Sequence, residues 1–410
     1  MRILTINWTY GYGSTGKLIC DIERELPECE FFHCYEYDTI GGAKNAYCLT
    51  GWLFTHVHNR LSRLKGLQYQ NGIAPTRRLL RKIEEYRPDI VHVHCPNGNT
   101  LNVYKILEYL KTQGIPTVIT NHAEFFYTGN CPYAFDCKQY MDGCKHCVDY
   151  KRATNSAIFN RAELSWKKMY AALHDFKSAR MVCVSPWQLK RLQESTICKE
   201  LQGCVIGNGI DTSVFCSGQE TKNPDKITIL QVTSSFSDDP SDIKGGVHLI
   251  ELAKRLPLEY EIRVAGADHL ANKEDLPKNI TVLGNLSNQK LLAEEYRKAD
   301  LVVLTSRKET FGMACAESLC CGTPVVGFLS GGTESIALPE YTQFCEYGNV
   351  EALEHLVAEW GKYKRGMAPG EQRKMTEEAS THYSKQTMAK SYLKLYNELL
   401  SKQKEGQPWK

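Results

Sequence analysis

The sequence predicts an α/β protein of two doubly wound, Rossmann-like domains, each a parallel sheet covered by helices. Three observations carry this expectation. The chain has 410 residues, which suits two domains of roughly 200 residues each. Short apolar runs of strand character alternate with longer runs of helical character. A glycine-rich loop follows the first apolar run directly, where the ligand loops of such sheets stand.

Residues 1–7 are too short and too polar for a secretory leader and read as the first strand, over 3–6. Tyr10-Gly11-Tyr12-Gly13-Ser14-Thr15-Gly16-Lys17 follows and opens a helix, so backbone and helix N-terminus can both approach a ligand there. Further strands are expected at 90–93, 117–120 and 181–184 in the first half. Runs at 227–232, 261–265, 280–283, 301–304 and 325–328 supply the second sheet. The seam is expected in the polar stretch 207–226, with Gly207, Gly209, Gly218 and Pro224. The expected domains are 1–210, with a Cys-rich insert at 125–150, then 211–385, then a C-terminal helix within 386–410. That helix carries Tyr392, Leu395, Tyr396 and Leu399 at amphipathic spacing.

Hydrophobic residues make up 42% of the chain, an ordinary share for a soluble protein, and no run of eighteen apolar residues suggests a membrane span. A net charge of +3 does not single out nucleic acid as a partner. The seventeen cysteines are mostly scattered and are expected as reduced thiols in a cytoplasmic protein. Four are not scattered. Cys131, Cys137, Cys144 and Cys147 are separated by five, six and two intervening residues and end in Cys-x-x-Cys. A structural zinc on four thiolates, loose thiols and a disulfide all remain open, with His146 as an alternative ligand. Between 60 and 82 stand Arg60, Arg63, Lys65, Arg77, Arg78, Arg81 and Lys82 with no Asp or Glu. Leu61, Leu64, Leu67, Leu79 and Leu80 are interleaved with them. This is either a solvated helix face or a basic amphipathic patch for an anionic membrane surface.

The densest chemistry lies in 305–327. Leu301-Val302-Val303-Leu304 reads as a buried strand, residues 313–321 as a short helix of small residues, and Gly322-Thr323-Pro324 as its stop. Glu309 lies in the loop and Glu317 in the helix, with the amides of Phe311, Gly312 and Met313 between them at a helix N-terminus. The segment thus offers a hydroxyl acceptor, a phosphate cradle and a second hydroxyl acceptor. A sugar nucleotide presents hexose, diphosphate and ribose in that order. Two solvated glutamates are the plainer alternative. Lys244 precedes Gly245-Gly246 after the strand at 227–232, where a cation at a helix start is slightly disfavoured unless an anion is bound. His122 follows the strand at 117–120, and His94 and Asn102 follow the strand at 90–93. No Asp-x-Asp occurs in the sequence.

Glu309, Phe311-Gly312, the small-residue helix with Glu317 and then Gly322-Thr323-Pro324-Val325-Val326 together resemble the signature of glycosyltransferase family 4, the group 1 glycosyltransferases. The resemblance implies a retaining hexosyltransferase of GT-B fold, with a UDP- or GDP-sugar in a cleft between the domains and the C-terminal helix crossing back to the first. It implies that Glu309 holds hexose hydroxyls and Glu317 the ribose. Gly13, Ser14, Gly16, Lys244, Phe311, Gly312 and Met313 would face the donor. His122 would orient the sugar, with Glu309, His122 and Lys244 catalytic and His94 and Asn102 on the acceptor side. No cofactor is required. The family commonly has an Arg near Ser234 or Ser235, which this chain lacks. Asn208-Gly209-Ile210-Asp211 matches an interdomain turn of the family. Phe126-Tyr127-Thr128-Gly129-Asn130-Cys131 is similar to a Cys-rich insert of polysaccharide-building, colanic-acid-type members. A glycan or lipid-linked acceptor at the inner face of the cell membrane is the implied partner. A sugar-nucleotide epimerase of the same fold and a catalytically silent binding subunit are the alternatives.

Overall fold

A computed structural model describes residues 1–37, 44–153, 156–218, 223–270 and 275–405. The chain forms two compact units, Met1–Gly207 together with Met388–Lys410, and Asn208–Thr387. The stretch expected as the seam lies partly outside the described residues.

The first unit holds seven strands: β1 (Arg2–Asn7), β2 (Glu30–Tyr35), β3 (Ala46–Cys48), β4 (Ile90–Val93), β5 (Thr117–Asn121), β6 (Ala179–Cys183) and β7 (Gly203–Val205). They pair in parallel in the order β3-β2-β1-β4-β5-β6-β7. Ile3, Leu4 and Ile6 of β1 are fully buried because helices cover both faces, which is why these strands read as unbroken apolar runs. On one face Leu4 and Ile6 join Val91, Val93 and Ile119 in a core shared with the helices Ile73–Tyr86, Val103–Thr112 and Ala162–Leu173. On the other, Ile3, Ile90, Val118 and Val182 pack against Met388, Tyr392, Tyr396 and Leu399 of the C-terminal helix Lys385–Glu405. Two tyrosines of that helix also bond to the sheet. Tyr396 Oη lies 2.7 Å from His92 Nδ1, and Tyr392 Oη 3.0 Å from Thr120 Oγ1.

The second unit holds β8 (Ile227–Phe236), β9 (Tyr260–Asp268), β10 (Ile280–Gly284), β11 (Leu301–Leu304), β12 (Val325–Phe328) and β13 (Thr342–Cys345). All pair in parallel, in the order β10-β9-β8-β11-β12-β13. Each sheet reverses its winding direction once, between β1 and β4 and between β8 and β11. In such sheets ligands bind beyond the strands' carboxyl ends at that reversal. Among the described residues no helix is long and apolar enough to cross a membrane.

Candidate active site

In the second unit the loops after β8 and β11 are laced together. Thr305 Oγ1 accepts from Gln231 Nε2 at 2.8 Å and donates to Lys244 O at 2.9 Å. Arg307 N donates to Ile243 O at 2.8 Å. Gly245 makes the lacing possible: its φ is +68°, and a Cβ there would lie 2.2 Å from Thr305 O. The Lys244 side chain is thereby aimed at the β11 loop, where Nζ lies 2.7 Å from Glu309 Oε1. The backbone of Glu309 is itself pinned, by its N–H to Ser330 O at 3.0 Å and its carbonyl to Gly332 N at 2.8 Å.

Four residues beyond Glu309 the helix Met313–Cys320 begins, capped by Gly312 in a left-handed conformation (φ +90°). A Cβ on Gly312 would lie 2.5 Å from Thr333 Oγ1. The first amides of this helix have no intrahelical acceptor, so its N-terminus suits an anion. Glu317 lies one turn in and accepts from Tyr296 Oη at 2.9 Å. Burial, with the Glu317 charge beside it, holds the Tyr296 phenol well above its usual pKa and keeps it a donor. An ion pair at Glu309, a helix N-terminus at Met313 and an oriented carboxylate at Glu317 thus follow one another along nine residues. Where the family commonly has its Arg, Ser234 is exposed and Ser235 Oγ donates to Asp242 Oδ2 at 2.9 Å. The Arg307 guanidinium stands 5.9 Å over the Tyr347 ring.

In the first unit the glycine loop caps β1 and opens the helix Gly13–Glu25. Thr9 Oγ1 donates to Tyr12 O at 2.7 Å, Gly16 is packed against Thr9, and Ser14 is exposed. His94 and His122, at the ends of β4 and β5, meet: His94 Nδ1 and His122 Nε2 share a hydrogen bond of 3.1 Å. His94 also lies on the His92 ring, with centroids 3.7 Å apart. Burial lowers the pKa of all three, that of His122 to about 4. They are neutral rings at neutral pH, and His94 Nε2 is buried without a hydrogen-bond partner among the described residues.

Asn102, expected on the acceptor side, also serves the fold. Its Oδ1 caps the helix Val103–Thr112 by accepting from Lys105 N at 3.1 Å, and its Nδ2 donates to Gln70 O at 3.2 Å. The amide is engaged by the fold. Asn before an apolar-periodic run is an N-cap signal in its own right. Glu36, unsignalled in the sequence, organises the loop after β4. It is fully buried at the end of β2 and accepts from Gly98 N at 3.1 Å, Thr100 N at 3.0 Å and the Thr100 hydroxyl. Burial raises its pKa against those hydrogen bonds.

Three of the four cysteines of the insert, Cys131, Cys144 and Cys147, join the first core, and Cys131 stands within electrostatic reach of Cys137, Cys144 and Cys147. Among the described residues the one group of three His, Cys, Asp or Glu ligand atoms within 4.8 Å of one another is His174, Asp175 and Glu200. Tetrahedral zinc with bonds near 2.3 Å brings sulfurs to about 3.8 Å. Here Cys144 is buried and Cys131 and Cys147 pack against the core as apolar groups, while Cys137 is exposed. Burial, with the neighbouring cysteines of the insert adding to it, raises the Cys131 thiol well above its usual pKa and the Cys144 thiol to about 12. No cysteine is in a disulfide.

Comparison with known proteins agrees with the fold. Residues 219–382 match the model of the group 1 glycosyl transferases, and residues 41–214 match that of glycosyltransferase family 4. An uncharacterised glycosyltransferase of Methanocaldococcus jannaschii is 23% identical over 330 residues, 76% of this chain and 85% of its own. A D-inositol 3-phosphate glycosyltransferase of Xylanimonas cellulosilytica is 30% identical over 109 residues, 24% of this chain and 26% of its own. Sucrose-phosphate synthase of Thermosynechococcus elongatus superposes with a TM-score of 0.68 at 14% identity, over 98% of this chain and 100% of that one. HepE of Anabaena, solved with UDP and glucose, superposes with a TM-score of 0.65 at 15% identity, over 97% of this chain and 100% of that one. Two Rossmann-like units of matching strand order, a carboxylate pair flanking a helix N-terminus and two adjoining family matches together place the chain among the group 1, family 4 glycosyltransferases of GT-B fold.

Proposed function

We propose that the chain takes a hexose from a UDP-sugar and transfers it, with retention at the anomeric carbon, to a hydroxyl of a growing surface glycan. The observation that carries the reading is the Lys244–Glu309 pair, 2.7 Å apart and four residues ahead of the helix Met313–Cys320. In this reading the diphosphate takes Lys244 and the amides at the start of that helix. Glu309, released from Lys244, accepts from hexose hydroxyls, and Glu317 accepts from the ribose.

Departure of the diphosphate concentrates negative charge on the leaving oxygen. A lysine and fixed backbone N–H groups already aimed at it stabilise that charge in the transition state more than in the ground state. The departing phosphate oxygen can then take the acceptor's proton, so no carboxylate nucleophile is needed. His122 is assigned to the transferred sugar as a neutral ring. UDP is favoured by its presence in the HepE structures, one of which holds UDP-glucose. A surface-glycan acceptor is favoured by the likeness to WaaG, a glycosyltransferase of lipopolysaccharide biosynthesis, with a TM-score of 0.61 at 15% identity over 96% of this chain and 99% of that one.

The test is a panel of UDP- and GDP-sugars, followed by slow donor hydrolysis and, with a glycan acceptor, by NMR of the product's anomeric proton. Turnover of a UDP-hexose with retained configuration is expected. An inverted product overturns the mechanism, and binding without turnover on any acceptor favours a silent subunit.

A further inference from the structure

Two large aromatic side chains stand open on the loop that follows β1. Trp8 is 38% exposed and Tyr12 56%, although Asn7 and Thr9 on either side of Trp8 are buried. Among the described residues the Trp8 indole has neither an aromatic neighbour nor a hydrogen-bond acceptor for its N–H. The backbone beneath it is fixed. Trp8 N donates to Cys95 O at 3.1 Å, and Trp8 O accepts from Glu36 N and Tyr37 N, each at 3.0 Å. Asn7 Oδ1 accepts from Cys95 N at 3.0 Å, and its Nδ2 donates to Thr9 O at 2.8 Å. The loops after β1, β2 and β4 are thereby tied together where the first sheet reverses its winding.

The edge of the indole rests on Gly98. A Cβ at that position would lie 2.7 Å from Trp8 Cδ1 and 2.7 Å from Glu36 Oε2. Glu36 holds the Gly98 amide in place, so the ring leans on backbone that cannot give way. A single exposed apolar side chain needs no explanation. This one differs in its support and in its place. A loop held by a rigid scaffold at the ligand end of a parallel sheet is where binding side chains are expected. Trp8 is bonded to Cys95, the residue after His94, and His94 Nε2 is buried without a partner among the described residues. Asn99 Oδ1, beside Gly98, is likewise buried and unpartnered among them. Buried polar atoms of this kind ordinarily have hydrogen-bond partners, and a ligand rich in hydroxyls offers them. An aromatic ring with one polar N–H at its edge suits a ligand with an apolar face and a polar rim. A pyranose is such a ligand: its C–H bonds gather on one face and its hydroxyls surround it.

We propose that the Trp8 indole, set on Gly98, is the platform on which a hexose ring of the acceptor glycan stacks. The word acceptor rests on the transferase reading given above. The stack itself requires no donor, so the two can fail separately.

Saturation-transfer NMR of the full chain with the methyl glycosides of glucose, galactose and mannose, and no nucleotide, tests it. At least one glycoside should receive saturation, chiefly on the C–H protons of one ring face. Trp8→Leu keeps apolar bulk against Gly98 and removes the ring, and it should weaken binding roughly tenfold. Trp8→Phe should retain most of the binding, and melting temperatures of both variants separate a lost platform from a damaged fold. In transfer assays the Trp8→Leu loss should fall on the KM of the acceptor rather than on that of the UDP-sugar. No glycoside bound by the unaltered protein, or equal binding by Trp8→Leu, overturns the proposal. So does UDP whose uracil protons lose saturation in Trp8→Leu, which makes the ring a nucleobase platform. Glycoside binding through Trp8 in a protein that ignores UDP upholds the stack and removes the transferase reading instead.

Discussion

Lys244 and Glu309 satisfy each other, so the donor binding proposed above would exchange one ion pair for others. Both side chains are about one-fifth exposed, and solvent moderates the loss of either. Glu309→Gln and Glu317→Gln should each weaken donor use by about 1.5–3 kcal/mol, roughly 10- to 100-fold in kcat/KM, with melting temperatures little changed. Glu309 should affect kcat more, because its proposed partner is the reacting sugar. Unchanged kinetics in both variants removes the assignment. The two carboxylates were legible because strand, loop and helix carry them within one short segment. The ion pair was not, since its partners are 65 residues apart and local pattern says nothing of a contact between loops. Glu36 gave no signal either, for a single acid at a strand end looks like any surface acid until the loop it holds is seen.

The histidines carry a pH dependence of definite sign. His92, His94 and His122 are held neutral by burial, below the ordinary value near 6.5. Unfolding lets them take up protons. Stability is therefore present above pH 6.5 and declines as pH falls toward about 4, the value for His122. The melting temperature should drop through that window, and His94→Gln with His122→Gln should flatten the drop. A pH-independent melting temperature between 7 and 4.5 would mean that these rings are not buried as described.

Among elements, the central strands were readable because burial on both faces makes them continuous apolar runs, as in Leu301–Leu304. The missed strands are β2, β3, β7 and β13. Two of these are three residues long, and β13, Thr-Gln-Phe-Cys, is half polar because it lies at an edge of its sheet. The helix Trp52–Lys65 shows a different limit: Leu53, Val57, Leu61 and Leu64 form a stripe that is exposed, and periodicity reveals a stripe but not which way it faces. The loop between β8 and its helix rests on backbone geometry. Gly245→Ala should cost about 1–3 kcal/mol beyond Gly114→Ala. Both have φ near +65°, yet a Cβ meets Thr305 O at 2.2 Å at the first and nothing within 4 Å at the second. Urea denaturation of the two variants compares them, and equal losses would mean that the lacing between the loops is slack.

On the scale of the whole molecule, two sheets of one winding pattern were implied by length and alternation. The role of the C-terminal helix as the cover of the first sheet came from the family resemblance, because an amphipathic stripe does not name its partner. Side chains specify it. Tyr396→Phe leaves His92 Nδ1 buried without its partner and should cost about 1–3 kcal/mol in urea denaturation, more than an exposed substitution on the same helix. The central claim concerns the second unit, where we propose that a lysine, a helix N-terminus and a carboxylate receive a nucleoside diphosphate. Titration calorimetry of UDP against the full chain and against Lys244→Ala tests it most directly. The account predicts saturable binding by the unaltered protein, weakened at least tenfold by Lys244→Ala while the melting temperature of the free variant stays close to that of the parent. UDP binding of equal strength in both proteins, or none in either, would contradict it.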